Sequence, residues 1–214
     1  RVQLSPAERA EIVVDMAPGT TAMLKSYPPD LDSPLPPSSI GTDATFAVLQ
    51  LRAAADLAPS PEVPAHLADL PDASAQTAVK TRTFELEGRE INGHHMDMDR
   101  VDTVVEEGTS EIWEVRSMNP FPHSFHVHDQ QFRILSIDGH SPSPELAGRK
   151  DTVLLSPQHK YRLLLSFQDY ADPSTPYMYH CHLLRHEDQG MMGQFVVVPP
   201  GHGMPVSGAG HAHE

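Results

Sequence analysis

A single cysteine, Cys181, occurs in the 214 residues. One thiol cannot build an intrachain disulfide framework, so Cys181 is buried, reactive or a metal ligand. Positive charge is also scarce: 15 lysines and arginines stand against 29 aspartates and glutamates, a formal net charge of -14. That balance argues against nucleic acid and anionic membrane surfaces as partners and leaves cationic or neutral small molecules open. No apolar run approaches the roughly 18 residues that a membrane-spanning helix needs. Arg1-Val2-Gln3-Leu4 does not read as a charged leader before an apolar stretch, so location is not legible in composition.

Proline and histidine are what the chain has in quantity. Tyr27-Pro28-Pro29, Ser33 to Ser39 and Ala58 to Pro64 are proline-dense, and proline removes ladder donors, so these stretches read as loops or linkers. Between them Glu11-Ile12-Val13-Val14-Asp15, Thr21 to Tyr27 and Thr45 to Arg52 are strand-like, too few to make a barrel. Residues 1–57 are thus expected to be the end of a preceding domain and 58–79 a linker. From Lys80 strand-like runs recur: Thr81 to Glu87, Val101 to Ser117, Ser124 to Ile137, Asp151 to Ser166, Tyr177 to His182 and Gly193 to Val198. Turns at Glu107-Gly108-Thr109 and Pro157-Gln158-His159 split two of them. Many short strands at such spacing predict an all-β Greek-key sandwich or barrel over 80–199. The Gly- and His-rich end, 200–214, is expected to be disordered.

Two segments carry the chemistry: His123-Ser124-Phe125-His126-Val127-His128 and the run from His180-Cys181-His182 through His186-Glu187 to Met191. A blue copper site takes two imidazoles and a thiolate in a trigonal plane with a weak axial thioether. Cys181, His186 and Met191, each five residues from the next, suit a loop that leaves a strand, wraps a metal and returns as the Gly193 strand. His123 is the candidate for the second imidazole. Alternate residues of a strand face opposite sides, so His180 and His182 point together, away from Cys181. His126 and His128 likewise share a face, with His123 on the other. Two metal sites follow, joined through Cys181, and an electron held at the thiolate has a covalent path to His180 and His182.

The pattern H-x-x-H-x-H followed by H-C-H-x-x-x-H-x-x-x-G-M resembles the C-terminal domain of the multicopper oxidases, the family of laccases, bacterial cuprous oxidases and bilirubin-type oxidases. Leu4 to Glu11 resembles a late second-domain segment of the bacterial members, and Ile91-Asn92-Gly93 with Met96-Asp97-Met98 the entry to their third, cupredoxin domain. The resemblance implies a type 1 copper on His123, Cys181, His186 and Met191. It assigns His126 to a type 2 copper and His128, His180 and His182 to a binuclear type 3 pair. Glu187 matches a carboxylate that helps move protons to the oxygen site. Dioxygen and a small reductant, phenolic, amine or cuprous ion, are the implied partners, and a periplasmic or secreted location goes with them. Family members need two further His-x-His pairs from their first domain. Outside the two motifs this chain offers only His211-Ala212-His213, so it is expected to be a fragment, or one chain of a split enzyme, inactive toward dioxygen alone. Ser124 stands where many members have proline, and Asp129 where glycine is common.

Blander readings stand beside these. His94, His95, Met96 and Met98 read as a surface turn ahead of a secondary copper patch, and His202, His211 and His213 as a solvated tail. Asp97, Asp99, Asp102, Glu106 and Glu107 read as an exposed acidic face, Asp188 as a cap of the ligand loop, and Trp113 as core. The rival function is a non-enzymatic cupredoxin electron carrier, which has no use for imidazoles flanking its cysteine. A copper nitrite reductase is not expected to carry the His-Cys-His triplet, and a copper-free relative is expected to have lost ligands.

Overall fold

The computed structural model describes residues 1–69, 78–168 and 170–202. Two short antiparallel strands, β1 (Thr21–Ser26) and β2 (Phe46–Arg52), form a sheet of their own. The strand expected at Glu11–Asp15 does not form. Ile12, Val13 and Val14 are 44–68% exposed; a β-branched run has no reason to extend into a ladder without a neighbouring edge to pair with. The tail reading for 200–214, with its His211-Ala212-His213 pair, falls largely outside the described residues.

Two larger sheets follow. The first, ordered β4-β3-β6-β11-β8-β9, is built from β3 (Lys80–Glu87), β4 (Glu90–Ile91), β6 (Thr109–Ser117), β8 (Phe132–Ile137), β9 (Arg149–Lys150) and β11 (Lys160–Phe167). The second, ordered β10-β7-β12-β13-β5, contains β5 (Thr103–Glu106), β7 (His123–Val127), β10 (Thr152–Leu155), β12 (Asp172–Cys181) and β13 (Met192–Val198). The predicted turn at Glu107-Gly108 separates β5 from β6. Alternation explains β6, whose Ile112, Glu114 and Arg116 are only half-buried while Trp113 and Val115 lie in the core. By contrast β13 does not alternate: after the buried Gln194, Phe195, Val196, Val197 and Val198 are all buried.

Trp113 forms the centre of the packing. Its ring lies 4.4 Å from Phe84, 5.7 Å from Tyr179 and 5.8 Å from Phe195, centroid to centroid. Each large side chain removed from water in this way contributes roughly 1.5–3 kcal/mol. Beside it Glu111, 2% exposed, accepts bonds from Arg82 and from the Trp113 indole, so its buried charge is partnered.

Two local features bear on the site. The return from Cys181 to β13 was expected to be irregular, yet it contains one helical turn, α1 (Leu184–Glu187), closed by amide bonds from His186 and Glu187 to the Leu183 carbonyl. Asp129, standing where glycine is common in the resembling proteins, has a left-handed backbone with φ 63°. Aspartate is among the few residues that adopt it at small cost, so the turn after His128 survives the exchange.

Candidate metal centre

Strand pairing decides which side chains meet. Within the second sheet β12 lies against β7, with His180 opposite His126 and Cys181 opposite Phe125. Residues opposite one another share a face, so His126 and His180 lie on one side. Cys181, with Phe125, lies on the other, in the core.

On the core side three atoms converge. Cys181 Sγ lies 3.4 Å from His123 Nδ1 and 3.6 Å from His186 Nδ1, and the two nitrogens are 3.2 Å apart. Asn119 Oδ1 can only accept, so the 2.8 Å bond to His123 Nε2 puts the ring proton there. The Nδ1 lone pair is thereby left facing the thiol. Phe121 packs on both rings, 5.3 Å from His123 and 5.8 Å from His186. Met191 is fully buried beside them, its amide donating to the His186 carbonyl and its carbonyl accepting from the Cys181 amide. Gly190, at φ 86°, makes the turn that admits this, with the Met96 amide bonded to its carbonyl.

On the opposite side His126, His128 and His180 bring one ring nitrogen each within 4.8 Å of the others, His128 Nε2 and His180 Nε2 being 3.0 Å apart. The His182 ring adjoins them, 5.2 Å from His180 and 5.5 Å from His126, and its Nδ1 is buried without a hydrogen-bond partner. Glu187 Oε2 lies 3.4 Å from His180 Nδ1 and is likewise buried and unbonded. Orphaned buried polar atoms are costly, and their gathering here marks a place shaped for something other than internal hydrogen bonding.

Burial favours the neutral form of His123, His126, His180 and His186. It pushes His123 down to about 3, with the nearby His186 and Arg89 adding to the effect, and holds His180 and His186 at about 4. His126 is also lowered, chiefly by burial, and the Cys181 thiol is pushed up by the same cause. Neutral imidazoles are ready donors, whereas the thiol must release its proton when it takes a metal.

Copper fits the donor set. A triangle with edges near those of Cys181, His123 and His186 has its centre about 2.0 Å from each corner, the length of a metal–imidazole bond. Two imidazoles and a thiolate in one plane are what a blue copper site requires. Six of the eight donors expected from sequence fall into the two groups, the His182 ring adjoins the second, and Met191 is buried in the same core as Cys181.

Other expectations separate cleanly. His94, His95 and Met98 are exposed in a turn, with His95 Nε2 3.3 Å from Glu90, as the surface reading anticipates. His159 bridges Asp138 and Asp32 and approaches neither group. Sequence reasoning missed Asn119 and Phe121, although both stand in the Asn119-Pro120-Phe121-Pro122 run leading into His123. It also missed Asp151 and Thr152, which hold the His126 ring; nothing in their spacing signals it.

A sequence model of the multicopper oxidases matches residues 62–201. Among curated proteins, the multicopper oxidase mco of Staphylococcus aureus is 38% identical over 124 residues, 54% of this chain and 27% of that protein. The cell division protein FtsP of Dickeya dadantii is 33% identical over 204 residues, 92% of this chain and 42% of that protein. A solved bacterial laccase-like multi-copper oxidase, CueO from Ochrobactrum sp., is 32% identical with a TM-score of 0.68, covering 84% of this chain and 42% of its own. McoA from Aquifex aeolicus, at 23% identity and TM-score 0.72, shares the fold over 86% of this chain and 41% of its own. The chain thus spans less than half the length of these relatives. The two packed sheets are the all-β architecture predicted from strand spacing, and they are cupredoxin-like as the family resemblance implied. Since the family match takes in well over half of the residues and both donor groups, this chain belongs to the multicopper oxidase family.

Proposed function

We propose that this chain is the C-terminal part of an oxidase that couples one-electron oxidation of a reductant to reduction of dioxygen to water. In this reading His123, Cys181, His186 and Met191 hold a type 1 copper. His126 serves a type 2 copper, and His128, His180 and His182 a binuclear type 3 pair. Copper in the thiolate group supplies the one-electron chemistry, passing between cupric and cuprous states. Making two waters from dioxygen consumes four electrons and four protons, so the chain must deliver both kinds of particle to the imidazole side.

The observation that carries the reading is the continuity of the two donor groups through three consecutive residues. Cys181 points into the core group while His180, one peptide away, points into the other, and the His182 ring adjoins His180. Electron delivery thus has a covalent route from sulfur to imidazole. Proton delivery falls to Glu187, whose half-buried carboxylate ends 3.4 Å from His180; a titratable group beside a proton-consuming site is suited to relay.

The division into an end of a preceding cupredoxin domain (1–57), a linker (58–79), a C-terminal cupredoxin domain (80–199) and a tail (200–214) belongs to the same proposal. So do the further His-x-His pairs, supplied by another domain or chain, the phenolic, amine or cuprous reductant, and an exported location. A free-standing electron carrier is the weaker reading, because His126, His128, His180 and His182 form a second donor group that a carrier does not need.

Copper loading tests the proposal directly. The loaded chain is expected to show the intense visible absorption of thiolate-to-copper charge transfer, lost in Cys181→Ser, and no oxygen uptake until the missing histidine pairs are supplied. A colourless copper complex, or oxygen uptake by this chain alone, refutes it.

A further inference from the structure

We propose that the segment Ser5 to Arg9, far outside the second sheet in sequence, acts as a strap that fixes the tautomer and position of the His126 ring, with Arg9, Asp151 and Thr152 as its positioning residues. The inference rests on the reading of His126 as a copper ligand and extends it to residues with no donor role.

The strap is a tight turn held from within and from below. The Ser5 amide donates to Glu8 Oε2 at 2.7 Å, and the Glu8 amide to the Ser5 carbonyl at 3.0 Å. Ser124 Oγ donates to the Pro6 carbonyl at 2.9 Å, so its contact with Ser5 Oγ, at 3.0 Å, is one in which Ser5 donates. Glu8 Oε1 lies 2.9 Å from Lys150 Nζ, with both side chains largely buried. Arg9 forks onto Asp151, Nη1 to Oδ1 at 2.7 Å and Nη2 to Oδ2 at 2.9 Å. Each anchor thus falls on β7, on β9 or on Asp151 between β9 and β10, the framework around His126.

Proton accounting carries the strap's effect to the ring. The Asp151 carbonyl can only accept, so His126 Nδ1, 2.9 Å away, is the protonated nitrogen. Thr152 Oγ1 gives its own proton to Asp151 Oδ1 at 3.0 Å and therefore offers a lone pair to the same Nδ1–H, also at 2.9 Å. Nε2 is left as the free lone pair. Arg9 holds the carboxylate that orients the Thr152 hydroxyl, and a bidentate guanidinium fixes its direction as well as its charge. Ser124, the departure from proline, supplies the hydroxyl that seats the strap, and its carbonyl accepts the His182 amide at 2.6 Å.

The test uses Arg9→Gln, at a side chain 67% exposed, and Thr152→Val in the 214-residue chain. Ring-nitrogen NMR of the metal-free protein is expected to find His126 protonated at Nδ1, with a smaller Nδ1-protonated fraction in both variants. In a cupric ion titration, the electron spin resonance signal of copper held by imidazoles should need about tenfold more copper in Thr152→Val. In Arg9→Gln it should need about two- to fivefold more, with the blue band of the Cys181 group unchanged in both. Unaltered ring signals and affinity in Arg9→Gln overturn the strap. Should no copper settle on the imidazoles of the unaltered chain while His126 keeps its Nδ1 proton and the variants weaken that preference, the ligand reading fails and the strap stands.

Discussion

Acidifying the metal-free chain puts the electrostatics of both donor groups to work. Burial holds His123 at about 3 and His180 and His186 at about 4, against an ordinary value of 6.5. Unfolding returns each ring to water and to that ordinary value. As pH falls below about 6.5, the unfolded chain takes up protons that the folded chain refuses, so stability drops with pH until the folded rings titrate near pH 4 and below. At pH 5 each ring costs about 2 kcal/mol relative to pH 8, taking about 1.4 kcal/mol per unit. Three such rings cost about 6 kcal/mol, a large share of the roughly 5–15 kcal/mol that keeps a domain folded.

His159 works in the opposite sense. Its partners Asp32 and Asp138 raise its pKa, so its contribution is present in acid and is lost as pH rises through the folded value. Its side chain is over a third exposed, and such a pair is worth at most about 1 kcal/mol, too little to offset the buried rings. Carboxylates held low, such as Asp138 accepting from the Lys160 amide, lose their contribution only below about pH 4. Urea unfolding between pH 7 and 4.5, followed by the emission of Trp113, the single and wholly buried tryptophan, therefore isolates the histidines. His180→Gln should remove about 2 kcal/mol of the drop at pH 5. A midpoint that does not move over this window refutes the reasoning.

Gly193→Ala should destabilise the chain by about 1–3 kcal/mol at pH 7, because the added Cβ would lie 2.5 Å from Tyr179 Cζ, a ring boxed in by Phe84 and Trp113; an unchanged urea midpoint would show that the ring has room to move. In the full oxidase proposed above, Glu187→Gln should slow reoxidation by dioxygen about 100-fold or more while leaving stopped-flow bleaching of the blue band by reductant unchanged. Equal slowing of the two steps dismisses the relay.

The two clusters of histidines and Cys181 were legible because the residue types and spacing suited to metal coordination also bring side chains together. Cys181, His186 and Met191 must leave and rejoin neighbouring strands around one point, and strand parity then separates His126 and His180 from Cys181. Most strands after Lys80 were legible for a related reason, since their alternation is set by a core on one face. The apolar run Ile12-Val13-Val14 misled because a strand is defined by its neighbour, which local sequence does not contain. One turn of helix at Leu184–Glu187 is too short for any periodicity to announce. Least legible were the supporting contacts: Arg9 and Asp151 are separated by 142 positions, and their meeting follows from how the segment ahead of the sandwich folds back on it.

The single turn α1 carries His186 and Glu187 side by side, and consecutive helical residues point about 100° apart. His186 therefore faces the Cys181 group, where the proposed function has electrons enter, and Glu187 reaches toward His180, where it has protons consumed. Leu183 accepts the amides of both, so the two functions hang from one carbonyl. Under the proposed function, a reductant that nudged this turn would shift the acid on its far side in the same motion, gearing electron intake to proton supply.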